Sequence, residues 1–113
     1  MWKDDAWLLD ILLAARRVLD FTKNTSQQEF FQNELMQNAV MRQLEIIGEA
    51  ARKLSTETTS AHPEVPWQSL IGMRNRLIHE YFRIRLERVW DTVRDDIPEL
   101  IRLIKPLVPP EDS

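Results

Sequence analysis

The chain contains no cysteine and only two histidines, His62 and His79, among its 113 residues. The missing thiols exclude disulfide bridges, thiolate nucleophiles and cysteine-ligated metals, and two imidazoles are too few for a multi-histidine zinc site within one chain. Long apolar runs are missing as well, because the longest, Ile11 to Ala15, falls far short of a bilayer span. We therefore expect a cytoplasmic protein with no metal, no other cofactor and no membrane partner.

Basic residues are few overall but concentrated in one stretch. The net charge of −3 argues against a broadly basic nucleic-acid binder. Between Arg74 and Arg88, however, five arginines stand against two acids and no lysine, which makes this stretch +3. Arginine is favoured where a planar fork grips phosphate or carboxylate. The stretch is therefore either a solvated, salt-bridged helix face or a local anion-binding surface.

Apolar residues recur at three- and four-residue steps along nearly the whole chain, a spacing that predicts helices. The two longest stripes are Trp7, Leu8, Ile11, Leu12, Ala15, Val18 and Leu19, followed by Met36, Val40, Leu44, Ile47, Ala51 and Leu54. No segment alternates as a strand would. Together with an ordinary hydrophobic content of 43%, this predicts a single all-α domain over residues 1–113. Its architecture is expected to be an antiparallel four-helix bundle with a short extra helical turn.

Several residues mark the expected ends of helices. Ser26 and Glu29 have the spacing of a capping box ahead of the short turn. The Ser- and Thr-rich segment from Ser55 to Pro66 is predicted to be a loop, with Pro66 in the first turn of the next helix. Pro98 is predicted to kink or restart the last helix.

The most unusual stretch begins at Arg74, which falls on the apolar side of its predicted helix. A guanidinium in that position is costly unless it pairs with an anion. On an unbroken helix of about 100° per residue, Tyr81 would return to within roughly 20° of Arg74, whereas His79 would lie about 140° away. Arg74 and His79 can therefore meet one ligand only if the helix ends near His79 or if a second subunit completes the site.

The chemistry of this pair suits a phosphodiester. A histidine titrates near neutral pH and can move a proton to or from a ribose 2′-OH or a leaving oxygen. A positioned arginine can stabilise the charge that builds on phosphoryl oxygens. With few metal ligands in the chain, metal-free cleavage of RNA through the neighbouring 2′-OH is the reaction class that fits.

The order Arg74, four residues, His79, one residue, Tyr81 matches the signature of HEPN-domain ribonuclease toxins. More specifically, the chain resembles the HepT toxins of the HepT/MntA type VII toxin–antitoxin systems. The resemblance extends over about residues 5–105 and includes the segments Ile47-Gly48-Glu49-Ala50-Ala51-Arg52-Lys53-Leu54, Val65-Pro66-Trp67, Gly72-Met73-Arg74-Asn75 and Val89-Trp90.

The resemblance implies a homodimer in which two motifs line a shared cleft, with Arg74 and His79 as the catalytic residues for RNA cleavage. It also implies a partner, an MntA-like nucleotidyltransferase antitoxin that uses ATP to attach AMP to the motif tyrosine. That residue is Tyr81, the only tyrosine in the chain. Asn75 and Arg76 are candidates for supporting the motif or binding RNA.

Two other interpretations of the motif stay open. The protein can be a non-catalytic module that holds a nucleotide or acidic substrate for a nucleotidyltransferase. Alternatively, it can be a structural helical dimer in which Arg74 forms a buried ion pair, with Glu49 as the candidate partner. Gly48 and Gly72, the only glycines, each cost a helix about 1 kcal/mol relative to alanine, and close helix–helix approach is the expected reason for both.

Overall fold

The computed structural model describes residues 2–110, and within that range the regular structure is helical with no strand. The α-helices are α1 (Trp2–Phe21), α2 (Gln27–Phe31), α3 (Glu34–Lys53), α4 (Thr56–Ala61), α5 (Trp67–His79), α6 (Leu86–Asp91) and α7 (Ile97–Ile104). A π-helical turn (Thr92–Asp96) joins α6 to α7, and short 3₁₀ turns cover Tyr81–Arg83 and Lys105–Leu107. The prediction of an all-α bundle is confirmed.

The long helices pack in an open series. Helix α1 packs along both α3 and α7, and α3 packs along α5 on its other side. Helix α5 makes no comparable contact with the α6–α7 rod, so a groove remains between them. The core fills the interior of this series, and its largest fully buried side chains are Phe30, Ile11, Ile47, Leu77, Ile97 and Ile104. Most of the predicted apolar stripes contribute to it.

The predicted capping box is confirmed at the start of α2, and Asn33 caps the start of α3. The Oγ of Ser26 accepts a hydrogen bond from the Glu29 amide at 3.1 Å, and the Ser26 amide donates to the Glu29 carboxylate at 2.8 Å. Asn33 caps α3 by accepting from the Met36 amide at 3.0 Å. Both caps satisfy amides that would otherwise lack intrahelical partners.

The predicted loop over residues 55–66 is wrong in its first half, which forms helix α4. The hydroxyl of Ser55 accepts from the Thr58 amide at 3.2 Å and donates to the Asp4 carboxylate at 2.6 Å. Thr58 also donates to Asp4, which is buried. The Ser/Thr content was read as a loop signal, but hydroxyls near a helix start cap the helix, and here they also tie it to α1.

The prolines act near the positions predicted for them. Pro66 is the residue immediately before α5 rather than a member of its first turn. Pro98 lies in the first turn of α7, directly after the π-helical turn, where the Ile97 amide bonds to the Thr92 carbonyl. Because proline has no amide hydrogen, the chain adjusts the ladder just ahead of it instead of breaking the helix.

Candidate active site

Helix α5 carries the motif and ends within it. The Glu80 amide closes the last turn by donating to the Arg76 carbonyl at 2.8 Å, and the backbone then leaves helical geometry. The arginine at position 76 suits this end because the carbonyls of a helix C-terminus carry partial negative charge. Tyr81 therefore lies beyond the helix, in the 3₁₀ turn, and of the alternatives left open by the sequence the structure has the helix that ends near His79.

Arg74 is held by the fold. Its side chain is only 22% exposed, and its Nη2 lies 3.1 Å from the Glu49 Oε1 on α3. Its Nη1 donates to the Asn75 Oδ1 at 2.9 Å. The Nε is buried and has no hydrogen-bond partner among the residues described. The ion pair with Glu49 named as the structural alternative is therefore present.

Gly48 lets α5 approach closely enough for this arrangement. A Cβ at position 48 would lie 2.2 Å from the Arg74 Cβ and 2.7 Å from the Leu70 carbonyl oxygen. The stem of Arg74 thus rests against the α3 backbone. Close helix approach is confirmed for Gly48 but is wrong for Gly72, whose Cβ would meet nothing within 4 Å.

Glu49 does not neutralise Arg74 fully, because the same carboxylate serves other cations. The Arg52 Nη2 lies 2.9 Å from the Glu49 Oε2, and the Lys53 Nζ lies 3.6 Å from the same oxygen. The hydrogen bond from Arg52, followed by the charges of Arg52, Arg74 and Lys53, lowers the pKa of Glu49. Glu49 is thus shared among three cations and does not pair with Arg74 alone.

A pocket of about 220 Å³ opens beside Arg74, between α1, α3 and α5. Its lining residues include Trp7, Glu49, Arg74 and Ile78. The half-buried guanidinium is therefore still reachable from solvent.

His79 and Tyr81 stand in an open environment. Both side chains are exposed, and Tyr81 contacts Phe82 edge-on with ring centroids 5.5 Å apart. His79 is the last helical residue, so its side chain keeps the helical direction, about 140° around the axis from Arg74. Among the described residues, no hydrogen bond, ion pair or shared pocket joins Arg74 to His79.

Asn75 and Arg76, the supporting candidates, separate onto different sides of α5. Asn75 is exposed and accepts the hydrogen bond from Arg74. Arg76 is exposed at the edge of the groove between α5 and the α6–α7 rod. Only Asn75 belongs to the immediate surroundings of Arg74.

The space between α5 and the α6–α7 rod, called here the α5–α7 groove, is the largest cavity described, at about 850 Å³. Its apolar lining includes Leu44, Ile47, Leu70, Met73, Ile97, Leu100 and Leu103, and its charged lining is Asp91, Asp95, Asp96, Glu99, Arg76 and Arg88. Burial, followed by the charges of Asp95 and Asp91, raises the pKa of Asp96. Sequence reasoning missed the groove, although the helical spacing of these four acids was a usable signal.

The described part of the chain has neither a metal-ligand cluster nor a membrane-spanning helix. No group of three or more histidine or acidic side chains there is placed to hold a metal ion. In the same range, no helix is both long and apolar enough to cross a membrane.

Comparison with known proteins agrees on one family. The model of the family described as "Ribonuclease HepT-like" matches residues 11–107. "Putative RNase MJ1380" of Methanocaldococcus jannaschii is 43% identical over 84% of this chain and 87% of its own length. "Probable ribonuclease HepT" of Thermococcus cleftensis is 39% identical over 83% of this chain and 86% of its own. "Putative RNase TTE0752" of Caldanaerobacter subterraneus is 36% identical over 93% of this chain and 94% of its own. No solved structure matches the chain significantly.

Proposed function

The chain belongs to the HepT-like ribonuclease family, and on that premise we propose that it is a metal-independent endoribonuclease toxin whose catalytic residues are Arg74 and His79. The observation that supports this most is the state of Arg74. It is fixed by Glu49 and Asn75, yet its carboxylate partner is shared with Arg52 and Lys53. A preorganised, incompletely neutralised arginine stabilises a phosphoryl transition state without reorganising first.

In the proposed reaction the ribose 2′-oxygen attacks the adjacent phosphorus as the bond from phosphorus to the 5′-oxygen breaks. A His79 imidazole accepts the 2′-OH proton, and a second, protonated His79 donates a proton to the departing 5′-oxygen. Arg74 stabilises the charge on the non-bridging oxygens. The products are a 2′,3′-cyclic phosphate and a 5′-hydroxyl end.

The proposed enzyme is a homodimer. On helical geometry Arg74 and His79 of one chain are offset by about 140° around α5, and no shared pocket in the described chain joins them, so we propose that one copy alone does not present both groups to one phosphate. Two copies supply two arginines and two histidines to a shared cleft, which also provides the separate acid and base that the reaction needs.

Regulation is proposed to act at Tyr81, through an MntA-like nucleotidyltransferase antitoxin that transfers AMP from ATP. The tyrosine oxygen attacks the α-phosphorus, a phosphodiester forms, pyrophosphate departs and the phenolic proton is lost to solvent. Tyr81 suits this role because it is 52% exposed on a turn two residues after His79. The added phosphodiester would place negative charge where the RNA backbone must bind.

The second candidate function is a non-catalytic module that holds a nucleotide for the partner transferase. The position of Arg74 favours it as well, because a fixed arginine beside an open pocket can hold a nucleotide phosphate without cleaving it. An assay for turnover separates the two functions.

Purified protein incubated with RNA in EDTA should generate 2′,3′-cyclic phosphate ends. The His79→Ala variant should lose at least about a hundredfold in rate, the usual cost of removing a general acid or base. His62→Ala is the matched control, since His62 lies before α5 and far along the chain from the motif. Full activity in His79→Ala, or nucleotide binding without any turnover in the wild type, would contradict the proposal.

A further inference from the structure

The turn after α5 presents an exposed apolar side chain on an ordered support. Phe82 is 97% exposed, the most exposed large hydrophobic residue described. The turn that carries it is nevertheless fixed, because the Arg83 amide donates to the Glu80 carbonyl at 2.8 Å and Ile84 packs against the core. Phe82 is thus held outward by the structure around it, and an outward aromatic is a typical interface anchor.

The α5–α7 groove has the complementary shape. Its volume of about 850 Å³ easily admits a phenyl ring, and half-buried Leu70, Met73 and Leu103 supply apolar walls. No element of the described chain fills it.

Charge complements shape. The segment 81–85 around Phe82 contains Arg83 and Arg85 and no acid; Glu80 and Glu87 flank it, and the Arg85 Nε lies 3.8 Å from the exposed Glu87 Oε1. The groove lining carries four acids against two arginines. The acids crowd one another, as the raised pKa of Asp96 indicates, so an incoming cation would relieve their repulsion.

We propose that Phe82 of one copy of this chain inserts into the α5–α7 groove of a second copy, with Arg83 and Arg85 against its acids, and that the second copy does the same in return. Both complementary surfaces lie on one chain, so a two-fold axis repeats the contact and closes the assembly. The inference rests on the homodimer in the proposed function and names the surface that forms it.

Such an exchange would also bring the motif helices of the two copies together. One wall of the groove is α5 of the receiving copy, whose Arg76 lines the groove, whereas Arg74 lines the pocket on the other side of α5. The inserted turn follows His79 by three residues, so insertion brings the His79 of one copy towards the motif helix of the other.

The absence of cysteine makes the contact directly testable. Two single variants, Phe82→Cys and Leu103→Cys, are mixed, oxidised mildly and run on a non-reducing gel. The mixture should give a disulfide-linked dimer that neither variant gives alone. The matched control mixes Phe82→Cys with Leu35→Cys, since Leu35 is 81% exposed but lies outside the groove.

Three results would overturn the inference: no crosslink in the first mixture, an equal crosslink with Leu35→Cys, or a strong crosslink of Phe82→Cys with itself. The last result would place the two turns against each other at the axis rather than in the grooves.

Sedimentation velocity measures how strongly the two copies associate. Phe82→Ala should raise the dimer dissociation constant roughly a hundredfold, as truncation of an interface hot spot does, while its helical circular dichroism and the behaviour of Leu35→Ala stay unchanged. Arg83→Asp with Arg85→Asp should also weaken the dimer, and adding Asp95→Arg with Glu99→Arg should restore it.

The outcomes separate this inference from the proposed function. Active wild-type dimers that are insensitive to Phe82→Ala, or a monomeric wild type, would overturn the inference. RNA left intact by a dimer that does depend on Phe82 would overturn the ribonuclease proposal and leave the interface standing.

Discussion

Arg74 and Tyr81 belong to one motif but stand in opposite surroundings. Arg74 lies against the α3 backbone and is bound by Glu49 and Asn75. Tyr81 lies beyond the end of α5, half exposed beside the almost fully exposed Phe82. The folded chain therefore fixes the cation by itself and leaves the rest of the motif open to another molecule. In the proposed enzyme, the fixed Arg74 takes part in catalysis, whereas the exposed remainder of the motif serves dimer assembly and regulation.

The exposed position of Tyr81 leads to the largest expected effect, on modification by AMP. Tyr81→Phe should escape AMP transfer completely, because Tyr81 is the only tyrosine and phenylalanine has no nucleophilic oxygen. Intact mass after incubation with the nucleotidyltransferase and ATP should rise for the wild type and stay constant for the variant. If the variant gains AMP units or remains fully protected by transferase activity, the modification site is wrong.

The enclosed position of Arg74 against α3 predicts a large loss of stability in Gly48→Ala. The added Cβ would overlap the Arg74 Cβ and the Leu70 carbonyl, and overpacking of this kind costs about 1–3 kcal/mol in the free energy of unfolding. Gly72→Ala is the matched control, because its Cβ has open space and alanine favours a helix by up to about 1 kcal/mol. Urea unfolding should move the two variants in opposite directions, and parallel shifts would disprove the close contact at Gly48.

A smaller effect is expected when Glu49, the partner that orients Arg74, is changed. Glu49→Gln should lower kcat about tenfold, because Arg74 loses a charged partner that orients it, while KM should not rise since a carboxylate near the phosphate is gone. Glu45→Gln is the control, because Glu45 pairs with exposed Arg42 instead. A raised KM with unchanged kcat in Glu49→Gln would show that Glu49 does not position Arg74.

The smallest effects concern two aspartates whose pKa values move in opposite directions. Hydrogen bonds from Ser55 and Thr58 lower the pKa of Asp4, so its stabilising contribution is present above the unfolded value of about 3.9 and is lost as the pH falls through the folded value. Burial raises the pKa of Asp96 in the groove, so its contribution has the opposite sign and is lost as the pH rises through the folded value.

Asp4→Asn should therefore destabilise the chain at pH 7, by about 1 kcal/mol, and by less at pH 3. Asp96→Asn should stabilise it at pH 7 and have little effect at pH 3. Urea unfolding in a Phe82→Ala background, which keeps the chain monomeric under the proposed interface, measures both. If both variants changed the free energy of unfolding in the same direction at pH 7, the opposite pKa shifts of Asp4 and Asp96 would be contradicted.

Local signals predicted most of the fold. Ser26 with Glu29 and the apolar stripes act through neighbours a few residues away, so their consequences can be read from spacing. Helix α4 was missed because its hydroxyls are equally common in loops, and the partner that settles the matter, Asp4, is 51 residues from Ser55 in the chain.

The site was predicted less completely, for a related reason. The burial and pairing of Arg74 followed from its helical face, and Glu49 was already the candidate partner. The α5–α7 groove and the outward Phe82 depend on how distant helices are arranged, which spacing along one helix does not contain. Spacing also left open whether α5 continues through Tyr81 or ends near His79, and the structure ends it at His79.

The contact between Gly48 and Arg74 gives the protein a mechanical property. Because the arginine stem rests on the α3 backbone and its guanidinium pairs with Glu49 on the same helix, a change in the spacing of α3 and α5 disturbs both contacts at once. The distance between the two helices therefore influences the position of the proposed catalytic arginine. Substitutions far along the α3–α5 seam should change RNA cleavage through fractions of an ångström in helix spacing, before they measurably change the stability of the bundle.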